Sequence, residues 1–248
     1  LIDQNLPHKL VAAAEIDVQD TVLEIGPGVG AITQELAKKA GRVIAVEKDR
    51  NMIEILKETL KEFKNVEIIN GDIRYLTISE ISKSGKFKVV GNLPFYLTAL
   101  VIRQFLESAE TRPPLTMTLV VQKEVGQRIC AKPPKMSILA NAVQFYADAE
   151  IISYVSKKSF WPQPKVDAAL IKITPLPEPM GDSKIFFEVV KAGFSHPRKQ
   201  LGNNLSKSLN MDREHVVNWL RDSGINPTQR AETLTIEDWG SLTKTLKT

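Results

Sequence analysis

The sequence predicts an α/β domain built on a doubly wound parallel sheet, followed by a small all-helical domain. Three observations predict it. Short apolar strands alternate with helices from residue 21 onwards, glycines follow the first strand at once, and a proline-rich break near residue 175 is succeeded by helical periodicity alone. A length of 248 residues suffices for one large α/β domain and a smaller second one.

Each element follows from local pattern. Leu6, Leu10, Val11 and Ala14 recur at helical spacing, so residues 5–15 form a helix. Thr21 to Ile25 is a short strand that runs into glycines, and a helix continues to about Ala40. Strand 42–46, helix 50–63, strand 66–69, a loop with a short helix, strand 87–90 and helix 97–108 repeat the alternation. Residues 115–121 make a further strand, 123–130 and 137–146 two helices, and 151–155 with 166–173 a late antiparallel pair able to close one sheet edge. The stretch TPLPEPMGD, from Thr174, packs three prolines and a glycine into nine residues and reads as a linker. The expected domains are therefore 1–175 and 181–248, the second carrying Ile185, Phe186, Val189 and Val190, then Leu201, Leu205 and Leu209, then Val216, Val217 and Leu220 at helical spacing.

Composition narrows the function class. With 43% hydrophobic and 25% charged residues and no apolar run long enough to cross a bilayer, no membrane partner is expected. A single cysteine, Cys130, forbids an intrachain disulfide, and His8, His196 and His215 are scattered, so a cytoplasmic protein without a structural metal is expected. A formal charge of +4 tilts the surface towards anionic partners. The chain is expected to act as a monomer, and because it opens on Leu1 inside a segment that already reads as folded, residues upstream are expected.

The chemistry gathers at strand ends. In Glu24-Ile25-Gly26-Pro27-Gly28-Val29-Gly30-Ala31 the glycines let backbone approach a nucleotide-like ligand at the carboxyl edge of the sheet. Gly26, Gly28 and Ala31 also satisfy the dinucleotide fingerprint, so this loop leaves NAD open. Glu47 ends the next strand, where a carboxylate accepts the hydroxyl protons of a ribose, a sugar shared by dinucleotides and S-adenosylmethionine. At Asn70-Gly71-Asp72-Ile73, Asp72 can accept from an adenine amine. Order and spacing together resemble a Rossmann-like S-adenosylmethionine-dependent methyltransferase sheet, with the cofactor over Gly26, Glu47 and Asp72.

Gly91-Asn92-Leu93-Pro94-Phe95, at the fourth strand end, supplies the rest. An adenine amine is a weak nucleophile because its lone pair is delocalised into the ring. The Asn92 side-chain oxygen and the Leu93 carbonyl can each accept one amine hydrogen, draw the nitrogen towards tetrahedral geometry and aim its lone pair. Pro94 has a fixed φ and no N–H, and Phe95 offers a stacking face for an extruded base. Tyr96 reads either as a second aromatic on the base or, the favoured reading, as the first turn of a buried helix.

With EIGPGVGAIT, VIAVEKD, NGDI, GNLPFYLT, VVQKEVGQRI, SFWPQPKVDAAL and RAETLTIEDW in place, the chain resembles, over essentially its whole length, the KsgA family of small-subunit ribosomal RNA adenine dimethyltransferases. The resemblance implies S-adenosylmethionine as cofactor, held by Gly26, Gly28, Glu47, Asp72, Ile73 and Asn92, with Leu1 as the last position of the family's Gln-Asn/His-Phe-Leu motif. It implies Asn92, Leu93, Pro94, Phe95 and Phe160 at the reacting centre. The implied substrate is the small ribosomal subunit precursor, gripped through phosphates by Lys165, Arg198 and Lys199, and His196 to Asn204 supplies charges and amides in the helical domain. Two places depart from the family pattern: Lys132-Pro133-Pro134-Lys135-Met136-Ser137 replaces a Tyr-Gly turn, and Ala168 replaces a serine. Rival readings are a large-subunit rRNA adenine methyltransferase of the antibiotic-resistance type and a non-catalytic RNA- or DNA-binding assembly or transcription factor on the same fold.

Overall fold

The strands are β1 (Thr21–Ile25), β2 (Arg42–Glu47), β3 (Val66–Asn70), β4 (Phe87–Asn92), β5 (Met117–Gln122), β6 (Ala147–Val155) and β7 (Ala168–Pro175). They form one sheet in the order β3-β2-β1-β4-β5-β7-β6. The computed structural model describes residues 3–76, 85–94, 96–107 and 113–246. β3, β2, β1, β4 and β5 are parallel, while β7 runs antiparallel to β5 with Leu119 opposite Ile171. Parallel strands buried on both faces read as unbroken apolar runs, which is why Val22-Leu23 and Val43-Ile44-Ala45-Val46 lie almost wholly inside. The chain order reverses between β1 and β4, so their carboxyl ends open a crevice at the sheet edge.

Alternation sends successive side chains to opposite faces. Val22, Val43, Val90 and Val120 meet α1 (Asn5–Ala13) and α2 (Ala31–Ala37) through Leu6, Leu10, Val11, Ile32 and Leu36. On the other face Phe87 packs against Phe105 of α4 (Thr98–Leu106), their ring centroids 6.2 Å apart. α3 (Arg50–Thr59) buries Ile53 and Leu56 beside β2 and β3. It stops short of the expected Phe63, leaving helical geometry at Leu60, and the Thr59 hydroxyl donates to the carbonyls of Ile55 and Leu56 in its last turn. Asn65 then ties the loop to the end of α2 by donating to Ala37 and Ala40. β6 begins at Ala147 rather than Ile151, with half-buried residues alternating with exposed ones between buried ends, because an outermost strand tolerates Asp148 and Glu150 on its wet side.

The chain divides into two compact units, Leu1–Gln127 with Asp148–Pro175, and Arg128–Ala147 with Leu176–Thr248. The sequence reading put residues 128–147 with the sheet, and the structure groups them with the helices. The reason is packing: beyond α5 (Lys123–Ile129), Met136, Ala140 and Phe145, on and around α6 (Ile138–Gln144), share a core with Phe186, Val189 and Val190 of α7 (Ser183–Gly193). Leu201 and Leu205 of α8 (Leu201–Leu209), Val216 and Leu220 of α9 (Arg213–Asp222) and Trp239 of α10 (Ile236–Lys244) complete it. Arg230 to Trp239 thereby acquires a structural role. Thr235 and Asp238 form a reciprocal cap, each side chain accepting the other's backbone N–H at 3.0 and 2.8 Å, and Trp239 is driven into the core.

At Gly193 an added Cβ would strike the Trp239 ring and lie 3.1 Å from Leu201. Gly193→Ala is therefore expected to destabilise the helical unit by roughly 1–3 kcal/mol through overpacking, read as a lower thermal midpoint. An unchanged melt would show that this core yields freely.

Candidate active site

The loop between β1 and α2 needs left-handed backbone: φ is 70° at Gly26 and 58° at Gly28. A Cβ at Gly28 would meet nothing within 4 Å, so glycine is required there by conformation and leaves open space above the loop. Glu47 fastens this loop to β2. One carboxylate oxygen accepts the amides of Lys48 and Asp49 at 2.8 and 2.9 Å, and the other accepts the Gly28 amide at 3.1 Å. Three amide donors leave acceptor capacity on this carboxylate for a ligand hydroxyl.

Asp72 follows β3 and is clasped by Arg74, whose Nε reaches both carboxylate oxygens at 3.0 and 3.1 Å while Nη2 lies 2.6 Å from Oδ2. Lys48 Nζ adds a contact at 3.1 Å. The Arg74 guanidinium holds the Asp72 carboxyl well below the usual carboxylate range, assisted by Lys48, so the group stays an acceptor. Gly26, Glu47, Asp72 and Ile73 all line one cavity of about 590 Å³, together with Lys48, Arg50 and Tyr96, which sequence reasoning did not assign. Acceptors from β2 and β3 around a space of that size suit an adenosyl group, whose hydroxyls and amine are donors.

β4 delivers the second constellation. At Gly91 a Cβ would come within 2.9 Å of the Ile25 carbonyl, so glycine permits the close approach of β1 and β4 beside the crevice. The Leu93 amide donates to the Val120 carbonyl at 3.2 Å, which pins the Asn92–Leu93 peptide while the Leu93 side chain enters the core. The Pro94 carbonyl then accepts the Leu97 amide at 2.9 Å and starts the turn into α4. Asn92, Leu93, Pro94 and Phe160 line a second cavity of about 260 Å³. Pro94 lines both cavities and is their common wall.

The structure thus brings together Gly26, Glu47, Asp72 and Ile73 in one cavity, and Asn92, Leu93, Pro94 and Phe160 in the other. Gly28 contributes through its amide rather than to either wall. Leu1 and Phe95 lie outside the described residues. Tyr96 departs from expectation: it is 72% exposed in the turn before α4 and lines the larger cavity, because the Pro94–Leu97 turn delays burial to Leu97. Lys165 borders a third, shallower groove on the sheet unit. Arg198 and Lys199 are exposed on the turn before α8. Asn204, expected as a free amide, is instead buried and spans the carbonyls of Gly193 and His196 at 2.7 and 3.0 Å, which shapes that turn.

Glu24 was not singled out in the sequence, although an acid inside an apolar strand just before the glycines was a visible signal. It is 1% exposed, and neither carboxyl oxygen makes a hydrogen bond of ordinary geometry. Burial pushes the carboxyl up to about 8, against the pull of the neighbouring Thr33 hydroxyl, and the Glu47 carboxylate adds to the rise.

A glycine turn, a carboxylate at the next strand end and a further acceptor beyond it define a nucleoside-binding α/β protein on a doubly wound sheet. Relatives make the class specific. The family model for ribosomal RNA adenine dimethylases matches residues 1–248. "Ribosomal RNA small subunit methyltransferase A" of Dehalococcoides mccartyi (strain CBDB1) is 42% identical over 98% of this chain and 84% of its own length. The protein of that name from Clostridium botulinum (strain ATCC 19397 / Type A) is 41% identical over 98% and 89%. Among solved structures, the 23S rRNA methyltransferase ErmE superposes with a TM-score of 0.81 at 25% identity, over 98% of both chains. A dimethyladenosine transferase from Plasmodium falciparum gives 0.83 at 22% identity, over 98% and 95%, which speaks for the fold. The chain belongs to the ribosomal RNA adenine dimethylase family, enzymes that take their methyl group from S-adenosylmethionine.

The Glu24 carboxyl yields a pH test. Its folded value lies above its ordinary 4.5, so between 4.5 and about 8 the folded state holds a proton that the unfolded chain has lost. Stability from this group is full below 4.5 and declines as pH rises towards 8. Glu24→Gln is expected to flatten the fall of the melting temperature over that range, by roughly 2–4 °C for each kcal/mol recovered. Parallel wild-type and variant curves would refute a protonated Glu24.

Proposed function

We propose that this protein transfers methyl groups from S-adenosylmethionine, two in succession, to the exocyclic amine of each of two adjacent adenosines in small-subunit ribosomal RNA. The observation that carries this reading is the shared Pro94 wall, with acceptors for a nucleoside on one side and Asn92, Leu93 and Phe160 on the other. When bound, S-adenosylmethionine supplies a methyl group activated on a sulfonium sulfur. Glu47 accepts from the ribose hydroxyls and Asp72 from the adenine amine of the cofactor.

On the substrate side the Asn92 side-chain oxygen and the Leu93 carbonyl each accept one hydrogen of the target amine before the first transfer, and one of them accepts the single remaining hydrogen before the second, which localises the nitrogen lone pair and aims it at the methyl carbon. The Val120 contact fixes the Asn92–Leu93 peptide and the fixed φ of Pro94 restrains the one after it, which together present the Leu93 carbonyl as a preorganised acceptor. No general base need act before transfer, and the proton leaves the newly methylated nitrogen for solvent afterwards. The extruded base stacks on Phe160, joined by Phe95, and this contact offsets the few kcal/mol of unstacking. Gly26, Gly28, Ile73 and Leu1 shape the cofactor side, while Lys165, Arg198 and Lys199 hold RNA phosphates.

The substrate is the small ribosomal subunit precursor, and the enzyme acts on it as a cytoplasmic monomer. The 41–42% identity to proteins named for the small subunit favours this over the large-subunit reading, which rests on a likeness of 25%. Among the described residues no helix is long and apolar enough to cross a membrane.

Incubation with immature small subunits and labelled cofactor is expected to convert two adjacent adenosines to dimethyladenosine, measured by nucleoside mass spectrometry. Preferential methylation of naked large-subunit RNA would overturn the substrate assignment. Asn92→Ala is expected to lower transfer by at least about 100-fold, with cofactor binding weakened but measurable by calorimetry. Retained turnover in that variant would sink the amine-orienting mechanism.

A further inference from the structure

The segment that carries Phe160 also presents an aromatic that the reaction as described does not use. Trp161 is 78% exposed, although tryptophan is among the side chains most costly to leave in water, and it lines the same 260 Å³ cavity as Asn92, Pro94 and Phe160. The two neighbours differ sharply: Phe160 packs against the core of the sheet unit, while Trp161 stands at the rim.

The exposure is built into the loop. Before it, the Ser159 hydroxyl donates to Asp3 at 3.1 Å and the Asp3 amide donates to the Ser159 carbonyl. After it, Asp167 accepts the Lys157 amide at 3.0 Å, and Pro162 and Pro164 stiffen the stretch between. On the other side of this segment Lys157 and Lys165 border the shallow groove without an ion pair among the described residues, beside Glu124 and Asp167 and with Lys123 held over the Tyr154 ring at 5.0 Å. A rigid loop with a bare indole on one side and unpaired ammonium groups on the other matches a nucleic-acid strand, with bases to stack and phosphates to neutralise. At 260 Å³ the cavity is below the ~300–1,000 Å³ that encloses a drug-sized ligand, so it takes one base and leaves the next outside.

We propose that Trp161 is a substrate-binding residue that stacks on the nucleotide flanking the target adenosine and holds the strand in register while the target base lies between Asn92 and Phe160. The inference rests on the RNA methyltransferase reading and adds where the flanking nucleotide goes. Stacking is tolerant of base identity. One indole therefore serves both of two adjacent adenosines, whichever base flanks the one in the cavity.

Fluorescence tests it directly, because the other tryptophans, Trp219 and Trp239, are 6% and 0% exposed in the helical unit. The probe is an RNA hairpin with a single acceptor adenosine in its loop, flanked either by ordinary nucleotides or by abasic ones. Intact RNA is expected to quench tryptophan emission on binding, abasic flanks to remove the quenching, and Trp161→Leu to abolish it. With immature small subunits, Trp161→Leu is expected to raise KM about 5- to 100-fold with kcat nearly unchanged, and Trp161→Phe to recover part of the loss. Quenching insensitive to abasic flanks, absence of quenching at saturating RNA, a wild-type KM in Trp161→Leu, or a loss confined to kcat would each overturn the proposal. If the wild type adds no methyl group to any RNA, the functional reading fails by itself, and RNA affinity of Trp161→Leu still decides the stacking role.

Discussion

The Glu47 carboxylate is the contact on which the site depends. It ends β2 and accepts amides from its own following turn and from Gly28 on the loop after β1, so one side chain joins two neighbouring strand ends at the carboxyl edge of the sheet. A carboxylate in that position answers N–H groups that would otherwise point at the ligand space unpaired. It adds to the backbone bonds of the glycine loop itself, Gly26 amide to Val46 carbonyl and Gly30 amide to Pro27 carbonyl, each at 3.0 Å.

The same economy runs through the rest of the site. Asp72 is kept charged by Arg74 and Lys48, Leu93 is pinned by Val120, and the Phe160 loop is tied at Asp3 and Asp167. Glu24 breaks the pattern, being buried with both oxygens outside ordinary hydrogen bonds. A neutral acid there costs less than a charge, and its strand leads directly into the glycine turn, so fold stability and the cofactor loop meet at one residue.

Much was legible because its signal is local. Alternating strands and helices gave the doubly wound sheet, and polar residues at successive strand ends gave Gly26, Glu47, Asp72 and Asn92, since strand ends in a parallel sheet share an edge. RAETLTIEDW identified the family from sequence, yet its local work is a helix cap and a core tryptophan rather than chemistry. The assignment of residues 128–147, the burial of Asn204 and the exposure of Tyr96 were not legible. Each depends on what a side chain meets after the chain has turned back on itself.

By itself the sequence determined the class of fold, the identity of the residues at the crevice and the family, because these reside in periodicity, in residue type and in short motifs of set spacing. Tertiary structure alone decided that Pro94 is the wall common to two cavities, that helices from either side of β6 and β7 share one core, that Glu24 is sealed from water and that Trp161 is not. The physical reason is the same in each case: burial and shared walls are properties of surfaces in contact, and those surfaces come from segments distant in the chain.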